Sequence, residues 1–190
     1  MIPKISFIIA TYNNELFLKK CIDSCLNQTY ENIEVCITDD GSNDSTSNIL
    51  ELYDDDTRIK FSSFKQNKAI CSALNNSYKM ASGKYIAIID SDDINYDDRI
   101  ERQYRHLKKT NSDLVYSNFD YFYDNSKTLI KNKKLKEPNK VSILFDNSIS
   151  GGSMLFNRKM SSKVFPIPDD LEFSDWWIAF QAVYFFNFSL

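Results

Sequence analysis

The chain has 190 residues, of which 43% are hydrophobic and 26% charged, and its formal net charge is −3 at pH 7. This length predicts one α/β domain with a substantial core, and the acidic balance excludes a typical nucleic-acid-binding protein, which would carry a basic excess. The only glycines are Gly41, Gly83, Gly151 and Gly152, so neither a G-x-G-x-x-G turn nor a Walker-type loop can be present. Classical dinucleotide oxidoreductases and P-loop NTPases are therefore excluded.

Up to residue 110, short apolar runs alternate with helical patterns. Strands are predicted over residues 5–10, 33–38, 58–64 and 85–89. Helices are predicted over residues 18–26, after the capping residues Asp44 and Ser45, over 68–80 with Ile70 facing inward, and over 97–109. Gly83 is expected to end the third helix in the left-handed conformation. The alternation predicts an α/β fold with a mainly parallel sheet and helices on both faces.

The sequence after residue 110 is less regular. Residues 114–123 and 128–135 are predicted to form a strand pair joined by Asp124-Asn125-Ser126. A strand over 154–156 follows Gly151-Gly152, and a final helix is predicted from about Asp170. Since there is no internal repeat or disordered linker, one domain over residues 1–190 is expected, with two parts at 1–110 and 111–190.

The cysteines indicate the cellular compartment. Cys21, Cys25, Cys36 and Cys71 lack zinc-ribbon spacing and are predicted to be reduced core thiols. The N-terminus enters a strand directly, which predicts no signal peptide, and no apolar run reaches the length needed to span a bilayer. A cytoplasmic location is therefore expected.

Three predicted strands end in polar segments: residues 11–14 (TYNN), 39–42 (DDGS) and 90–93 (DSDD). Ligands of open parallel sheets bind beyond the carboxyl ends of the strands, and the topology places these three ends at one edge. Each segment also has a plain structural interpretation. Asp39-Asp40 could be a helix-capping turn, and Tyr12 could pack against the protein instead of stacking on a base.

The segment 90–93 places three carboxylates within four residues. Carboxylates this close repel one another unless a cation compensates, and their oxygens suit Mg²⁺ or Mn²⁺. The alternative is a solvated acidic turn in which Asp93 caps a helix. Because two other polar strand ends lie at the same edge, a cation site is the favoured interpretation.

Together, the segments 6–14 (SFIIATYNN), 37–46 (ITDDGSNDST) and 82–93 (SGKYIAIIDSDD) resemble the family 2 glycosyltransferases in order and spacing. The resemblance spans roughly residues 4 to 185. It implies a GT-A-type fold, with a Rossmann-like sheet and a smaller mixed lobe on the acceptor side. Residues 1–110 would then form the nucleotide-binding half and residues 111–190 the acceptor-side half.

The resemblance also implies a set of binding residues for a nucleotide sugar and for Mn²⁺ or Mg²⁺. Asp92 would bind the metal together with Asp90, which would also face the ribose or diphosphate beside Ser91. Asp39 would meet the uracil, next to Asp40. The remaining nucleotide-sugar-binding residues would be Ala10, Thr11, Tyr12, Glu15, Asn67 and Lys68.

A catalytic base is implied in the segment 173–177 (FSDWW). The family usually has an acidic pair before an aromatic-rich helix, and here Ser174 replaces the first acid while Asp175 holds the position of the base. Glu172 is a second candidate, and without the family Asp175 is a plausible helix N-cap. Gly151-Gly152 resembles the family's backbone turn near the acceptor, or is an ordinary glycine turn.

The function implied is inverting transfer of a sugar, with a UDP-sugar as the expected donor. A glycan or lipid-linked acceptor is expected, in surface polysaccharide synthesis. The sequence stops at Leu190, soon after Asp175, so a truncated, non-catalytic nucleotide-sugar-binding domain is the alternative. A phosphoryl-transfer protein would need a lysine at a later strand end, and no convincing one is found.

Two further features concern partners. A basic stretch is interpreted as a solvated hairpin, as a contact for anionic lipid headgroups at the inner face of the cell membrane, or as a contact for a phosphate-linked acceptor. Its residues are Lys127, Lys131, Lys133, Lys134, Lys136 and Lys140. The aromatic segment 176–188 favours self-association, so a homodimer is a further expectation.

Overall fold

The computed structural model describes residues 2–122 and 135–190 in full and the backbone of residues 129–133. The elements of the first part are β1 (Ile5–Thr11), α1 (Leu18–Leu26), β2 (Ile33–Asp39), α2 (Thr46–Glu51), β3 (Ile59–Ser63), α3 (Ala69–Met80), β4 (Tyr85–Ile88) and α4 (Arg99–Thr110). Each lies within two residues of its prediction, which confirms the alternating pattern. Short apolar runs and helical periodicity were therefore sufficient to locate these elements.

The second part differs from the prediction in several places. Its elements are β5 (Leu114–Tyr116), β6 (Phe119–Phe122), β7 (Leu129–Lys133), β8 (Met154–Asn157), α5 (Arg158–Val164), α6 (Ser174–Phe185) and β9 (Phe188–Ser189). The run predicted as one strand over 114–123 is two strands: β5 is buried in the main sheet, whereas β6 pairs with β7. The turn predicted at residues 124–126 lies outside the described residues. Helix α5 was not predicted.

The last helix begins at Ser174 instead of Asp170 because α3 holds the preceding segment in place. The side chain of Asn75 donates to the carbonyl of Ile167 at 2.7 Å and accepts from its N–H at 2.7 Å. Ser72 donates to Asp169 at 2.9 Å. These tertiary bonds hold residues 167–169 against α3, a constraint that the local sequence pattern does not show.

The main sheet has seven strands in the order β3-β2-β1-β4-β8-β5-β9, and β8 runs antiparallel to both its neighbours while the others are parallel. This confirms the prediction of a mainly parallel sheet. The pairing of β1 with β2 runs from Ile5 opposite Ile33 to Thr11 opposite Asp39. Both strands therefore end at the same edge.

Helices cover both faces of the sheet. Phe7 and Ile9 of β1 pack into one core cluster with α1, α2 and α4, whereas Ile8 packs into a second cluster with α3, α5 and α6. The four cysteines are free and buried, as predicted. Ile70 was predicted to face inward, but it is 43% exposed because it lies in the first turn of α3, at the edge of the sheet. None of the helices in the described part of the chain combines the length and apolar character needed to cross a bilayer.

Gly83 does not have the predicted role. Helix α3 ends at Met80, the following Ala81 is extended, and the positive-φ residues of the described chain do not include Gly83. A Cβ at Gly83 would lie 2.7 Å from the backbone nitrogen of Ser6 and 2.9 Å from the carbonyl oxygen of Lys4. Glycine is thus required for the close approach of the turn to β1.

A buried carboxylate joins four segments at the amino-terminal edge of the sheet. Glu34 of β2 is 3% exposed and accepts hydrogen bonds from Ser6 Oγ at 2.6 Å, Lys60 Nζ at 2.9 Å, Ser82 N at 2.5 Å and Gly83 N at 3.1 Å. Burial by itself raises the pKa of Glu34, but the bonds from Ser6, Lys60 and Ser82 outweigh it and lower the pKa to about 2. The ionised form therefore stabilises the fold.

We expect Glu34→Gln to lower the free energy of unfolding by about 2 kcal/mol or more, because buried donors lose their charged acceptor. A folded pKa below the ordinary value of 4.5 means that the contribution of Glu34 is complete above that pH and is lost as the pH falls toward about 2. Urea unfolding at pH 7 and at about pH 3 measures both effects. Glu31→Gln, at an exposed position before β2, is the control, and equal losses in the two variants would contradict the role of Glu34.

Candidate functional site

The three polar strand ends converge on one cavity of about 400 Å³ at the carboxyl edge of the sheet. Its lining residues are Ala10, Thr11, Tyr12, Asp40, Asn67, Ala69, Ile70, Asp90, Ser91 and Asp92. Most of the predicted nucleotide-sugar-binding residues are therefore gathered in one place. Glu15, Asp39 and Lys68 are predicted site residues that do not line it. Asp39 is buried next to the lining residue Asp40, and the backbone N–H of Lys68 donates to Asp40.

The wall formed by β2 depends on two buried carboxylates. Asp39 accepts from Ser42 Oγ at 2.5 Å and from Ser42 N at 3.1 Å, which closes the turn after the strand. Asp40 accepts from Lys68 N at 2.7 Å. Burial raises the pKa of Asp40, although the N–H groups of Lys68 and Ala69 partly offset this. Both carboxylates thus shape the cavity through backbone contacts.

Hydrogen bonds join the loops after the three strands. Asn14 Nδ2 donates to Ser91 Oγ at 2.7 Å and links the loop after β1 to the acidic segment. Glu15 is exposed, and its Oε2 accepts from Ser45 N at 2.8 Å. The carboxylate of Glu15 therefore contributes to the site by holding the loop after β2. The sequence placed Asn14 in a polar segment at a strand end but did not predict its bond to Ser91.

The acidic segment carries uncompensated negative charge. The carboxylate of Asp90 is open to the cavity, yet the protein around it excludes enough water that burial raises its pKa to about 6, with further contributions from Asp93, Asp92 and Asp175. Burial and Asp92 also raise the pKa of Asp93. The guanidinium of Arg99 lowers both pKa values in part. Three acids of one loop and a fourth from the second half of the chain therefore repel one another here.

The turn that precedes β8 brings the acidic segment next to α6. A Cβ at Gly152 would lie 2.7 Å from Asp93 Oδ2 and 3.2 Å from Asp90 Oδ2. A Cβ at Gly151 would lie 3.2 Å from Asp175 Cβ. The glycine pair therefore lies between the acidic segment and the candidate base, where side chains would not fit.

Asp175 lies in the first turn of α6 and is half-buried. It accepts from Asn147 Nδ2 at 3.0 Å, from Trp176 N at 2.8 Å and from the N–H of Gly151. Burial raises its pKa, and these bonds limit the rise. Asn147 was not found from the sequence, since it is 28 residues from Asp175 in an irregular segment.

The donor chemistry of Asp90 and Asp92 suits a hard divalent cation, and the mutual repulsion of the acids would be relieved by one. Among the described residues, however, no three His, Cys, Asp or Glu side chains converge on one point. The described side chains therefore supply only part of a coordination shell. Magnesium sites commonly have this form, with one or two carboxylates completed by substrate phosphates and water.

The fold is similar to that of solved glycosyltransferase structures. The chain superposes over 98% of its length on Staphylococcus aureus TarS 1-349 in complex with UDP, with a TM-score of 0.79 and 20% identity, and covers 57% of that chain. The mannosyltransferase PcManGT from Pyrobaculum calidifontis, in complex with GDP-Man and Mn²⁺, superposes over 92% of this chain and 50% of its own, with a TM-score of 0.70 and 18% identity. The fold is therefore that of a GT-A glycosyltransferase.

Sequence comparison gives the family. The model of glycosyl transferase family 2 matches residues 6–165, and the chain belongs to this family. The putative glycosyltransferase EpsH of Bacillus subtilis is 33% identical over 196 residues, which cover 96% of this chain and 56% of EpsH. Glycosyltransferase GlyG of Streptococcus pneumoniae is 35% identical over 123 residues, covering 64% of this chain and 40% of GlyG. The chain thus spans 40% to 56% of the length of these two relatives.

We expect Asp90→Asn to stabilise the folded protein, because it removes one of the mutually repelling carboxylates. A gain of about 1 kcal/mol would raise the melting temperature by roughly 2–4 °C in a domain of this size. Thermal unfolding at pH 7 without divalent cations measures the effect. Asp97→Asn removes an exposed charge from the same loop and should shift the melting temperature by less than about 1 °C. A lower melting temperature for Asp90→Asn would contradict the repulsion.

Proposed function

We propose that this chain is the donor-binding and catalytic domain of an inverting glycosyltransferase, which moves a sugar from a UDP-sugar to a hydroxyl of a glycan or lipid-linked acceptor. The observation that carries the proposal is the cavity at the carboxyl edge, whose acidic segment is separated from Asp175 by Gly151 and Gly152. Family membership supports the same reaction class. A role in surface polysaccharide synthesis is part of the proposal.

A nucleoside diphosphate suits this cavity in shape and chemistry. Tyr12 is 48% exposed at the rim, so its ring is available to stack on a base. The buried hydroxyl oxygen Thr11 Oγ1 has no hydrogen-bond partner among the described residues. The structural neighbour TarS is described in complexes with UDP and with UDP-GlcNAc, which supports a uridine nucleotide as the donor for this chain.

The chemical step follows from the placement of Asp175 across the glycine turn from the diphosphate site. The carboxylate of Asp175 takes the proton of the acceptor hydroxyl, whose oxygen bonds to the anomeric carbon. The bond between that carbon and the diphosphate oxygen breaks on the opposite face, and its electron pair leaves with UDP. One displacement of this kind inverts the configuration. The bonds from Asn147 and Gly151 keep the carboxylate oriented for the proton transfer.

Mn²⁺ or Mg²⁺ bound by Asp92 and Asp90 would neutralise the charge that develops on the leaving diphosphate. Asp92 lines the cavity and is exposed, so its carboxylate is accessible to a cation that arrives with the donor. The complex of PcManGT with GDP-Man and Mn²⁺ supports this assignment.

The cellular context is also a proposal. The free, buried cysteines support a cytoplasmic location. Contact with the membrane surface through the basic stretch, and a homodimer formed through α6, remain predictions. Most of the basic stretch lies where no side chains are described.

The donor is tested by titrating UDP and GDP into the protein with and without Mn²⁺, using calorimetry. We expect UDP to bind more tightly with Mn²⁺ than without it. Asp92→Asn should abolish that difference because the cation loses a ligand. Asp98→Asn, an exposed acid outside the cavity, is the control. Absence of UDP binding, or binding that Asp92→Asn leaves unchanged, would contradict the proposed donor site.

The base is tested with Asp175→Asn. We expect kcat to fall by about 10²–10⁴-fold, because the proton acceptor is lost, while the Kd for UDP changes by less than about threefold. The assay measures release of UDP from UDP-sugars in the presence of acceptor saccharides. Asp170→Asn, an exposed acid on the same segment, is the matched control.

Two other outcomes have defined meanings. A loss of kcat in Glu172→Gln with an unaffected Asp175→Asn would assign the base to Glu172. If the wild-type chain binds UDP but neither transfers nor hydrolyses any donor, and Asp175→Asn changes nothing, the chain is a nucleotide-sugar-binding domain without catalysis.

A further inference from the structure

A half-buried arginine next to the site is not used by the proposed reaction. Arg99 is the first residue of α4, and its guanidinium donates four hydrogen bonds, all to neutral oxygens. Two go to side chains of the same region, Asn95 Oδ1 at 2.6 Å and Gln103 Oε1 at 3.2 Å. Two come from Nη2 and go to backbone carbonyls, those of Ile88 at 3.0 Å and Met154 at 3.2 Å. The planar fork thus joins three segments of the chain.

The two carbonyls belong to neighbouring strands at the point where their pairing stops. The last registered pair of β4 and β8 is Ala87 with Leu155. The next antiparallel positions would be Ile88 and Met154, and these are the residues bridged by Arg99. The guanidinium therefore replaces the next backbone pairing between the two strands. It fixes the distance between β4 and β8 at the point where their pairing ends.

Both strands adjoin segments of the candidate site. Asp90 lies two residues after Ile88, and Gly152 lies two residues before Met154. A Cβ at Gly152 would be 3.2 Å from Asp90 Oδ2, so there is no spare room between the two segments. A small change in the separation of Ile88 and Met154 would therefore move Asp90 relative to the glycine turn.

A second bond from α4 holds the same turn. Gln103, one helical turn after Arg99, donates from Nε2 to the carbonyl of Ser153 at 2.7 Å and is itself 6% exposed. Since Arg99 also donates to Gln103, the two side chains form one hydrogen-bonded unit against residues 151–154. Through Gly151, which donates to Asp175, the turn is connected to the candidate base.

The charge of Arg99 also acts on the site. Burial lowers the pKa of Arg99 only to about 10, so the guanidinium stays charged at neutral pH. It lowers the pKa values of Asp90 and Asp93, which are otherwise raised by burial and by their acidic neighbours. A neutral residue in its place would lose both the bridge and the compensating charge, whereas lysine would keep the charge and lose the fork.

We propose that Arg99 is a positioning residue for the proposed transfer, which sets the distance between Asp90 and Asp175 by bonding the diverging ends of β4 and β8. The effect of Arg99 on catalysis rests on the proposed function. Its bonds to the carbonyls of Ile88 and Met154 rest on the geometry alone. Arg99 does not line the cavity and acts through Asp90 and the glycine turn.

The test compares Arg99→Lys with Arg102→Lys. Arg102 is on the same helix, its side chain is 77% exposed, and it pairs with Asp98 at 3.7 Å, so its replacement is a matched control. We expect Arg99→Lys to lower kcat by about tenfold or more, because a misplacement of 1 Å costs up to about 10²-fold. The KM for the donor and the Kd for UDP should change by less than about threefold, since the charge remains. Arg102→Lys should leave all three constants unchanged.

Two further measurements separate positioning from a general effect on folding. The melting temperature of Arg99→Lys should fall by less than about 4 °C, which corresponds to about 1–2 kcal/mol. Amide hydrogen exchange should become faster at residues 150–156 in Arg99→Lys, but not in Arg102→Lys. Unchanged kcat and exchange in Arg99→Lys would overturn the proposal, as would a loss of kcat accompanied by lost UDP binding and a collapse of stability.

Failure of the proposed function would be recognised separately. If the wild-type protein neither binds UDP nor turns over any UDP-sugar, the proposed function is wrong. The exchange measurement then still decides whether Arg99 holds the turn: faster exchange at residues 150–156 supports the bridge, and unchanged exchange overturns it.

Discussion

The parallel register of β1, β2 and β4 is the constraint on which the site depends. Because Thr11 lies opposite Asp39 and β4 pairs with the other side of β1, the polar segments that follow these strands emerge at one edge. At the opposite edge, the buried carboxylate of Glu34 bonds β1, β3 and the turn before β4. At one end of the sheet, the hydrogen bonds of the Glu34 carboxylate thus hold the strands together. At the other end, the polar segments line an open cavity.

The open end carries an energetic cost. Asp90, Asp92, Asp93 and Asp175 lie close enough that their charges raise the pKa of Asp90. A protein selected for stability alone would not keep four repelling acids beside one cavity. Repulsion of this kind is typical of sites that bind a cation with an anionic substrate, because the ligand supplies the missing charge. The same loop therefore reduces the stability of the protein, and a bound cation would relieve that cost.

The antiparallel strand β8 determines how the two halves of the chain share the site. It inserts between β4 and β5, and the turn before it places Gly151 and Gly152 against the acidic segment. Arg99 and Gln103 of α4 bond the backbone of Met154 and Ser153, so contacts from α4, from the acidic segment and from α6 converge on a short backbone segment. The geometry of the candidate site thus depends on backbone positions that carry no reactive groups.

The sequence by itself determined the alternating elements of the first 110 residues, the edge at which the polar strand ends meet and the family, because apolar periodicity and polar strand ends are local signals. It also indicated Asp175, but only through the resemblance to the family. The division of residues 114–122 between two sheets, the late start of α6, and the roles of Gly83, Asn147 and Arg99 were decided only by the tertiary structure. Each depends on contacts between residues far apart in the chain, such as Asn147 with Asp175 or Arg99 with Met154, and a local pattern contains no information about which distant group will be its partner.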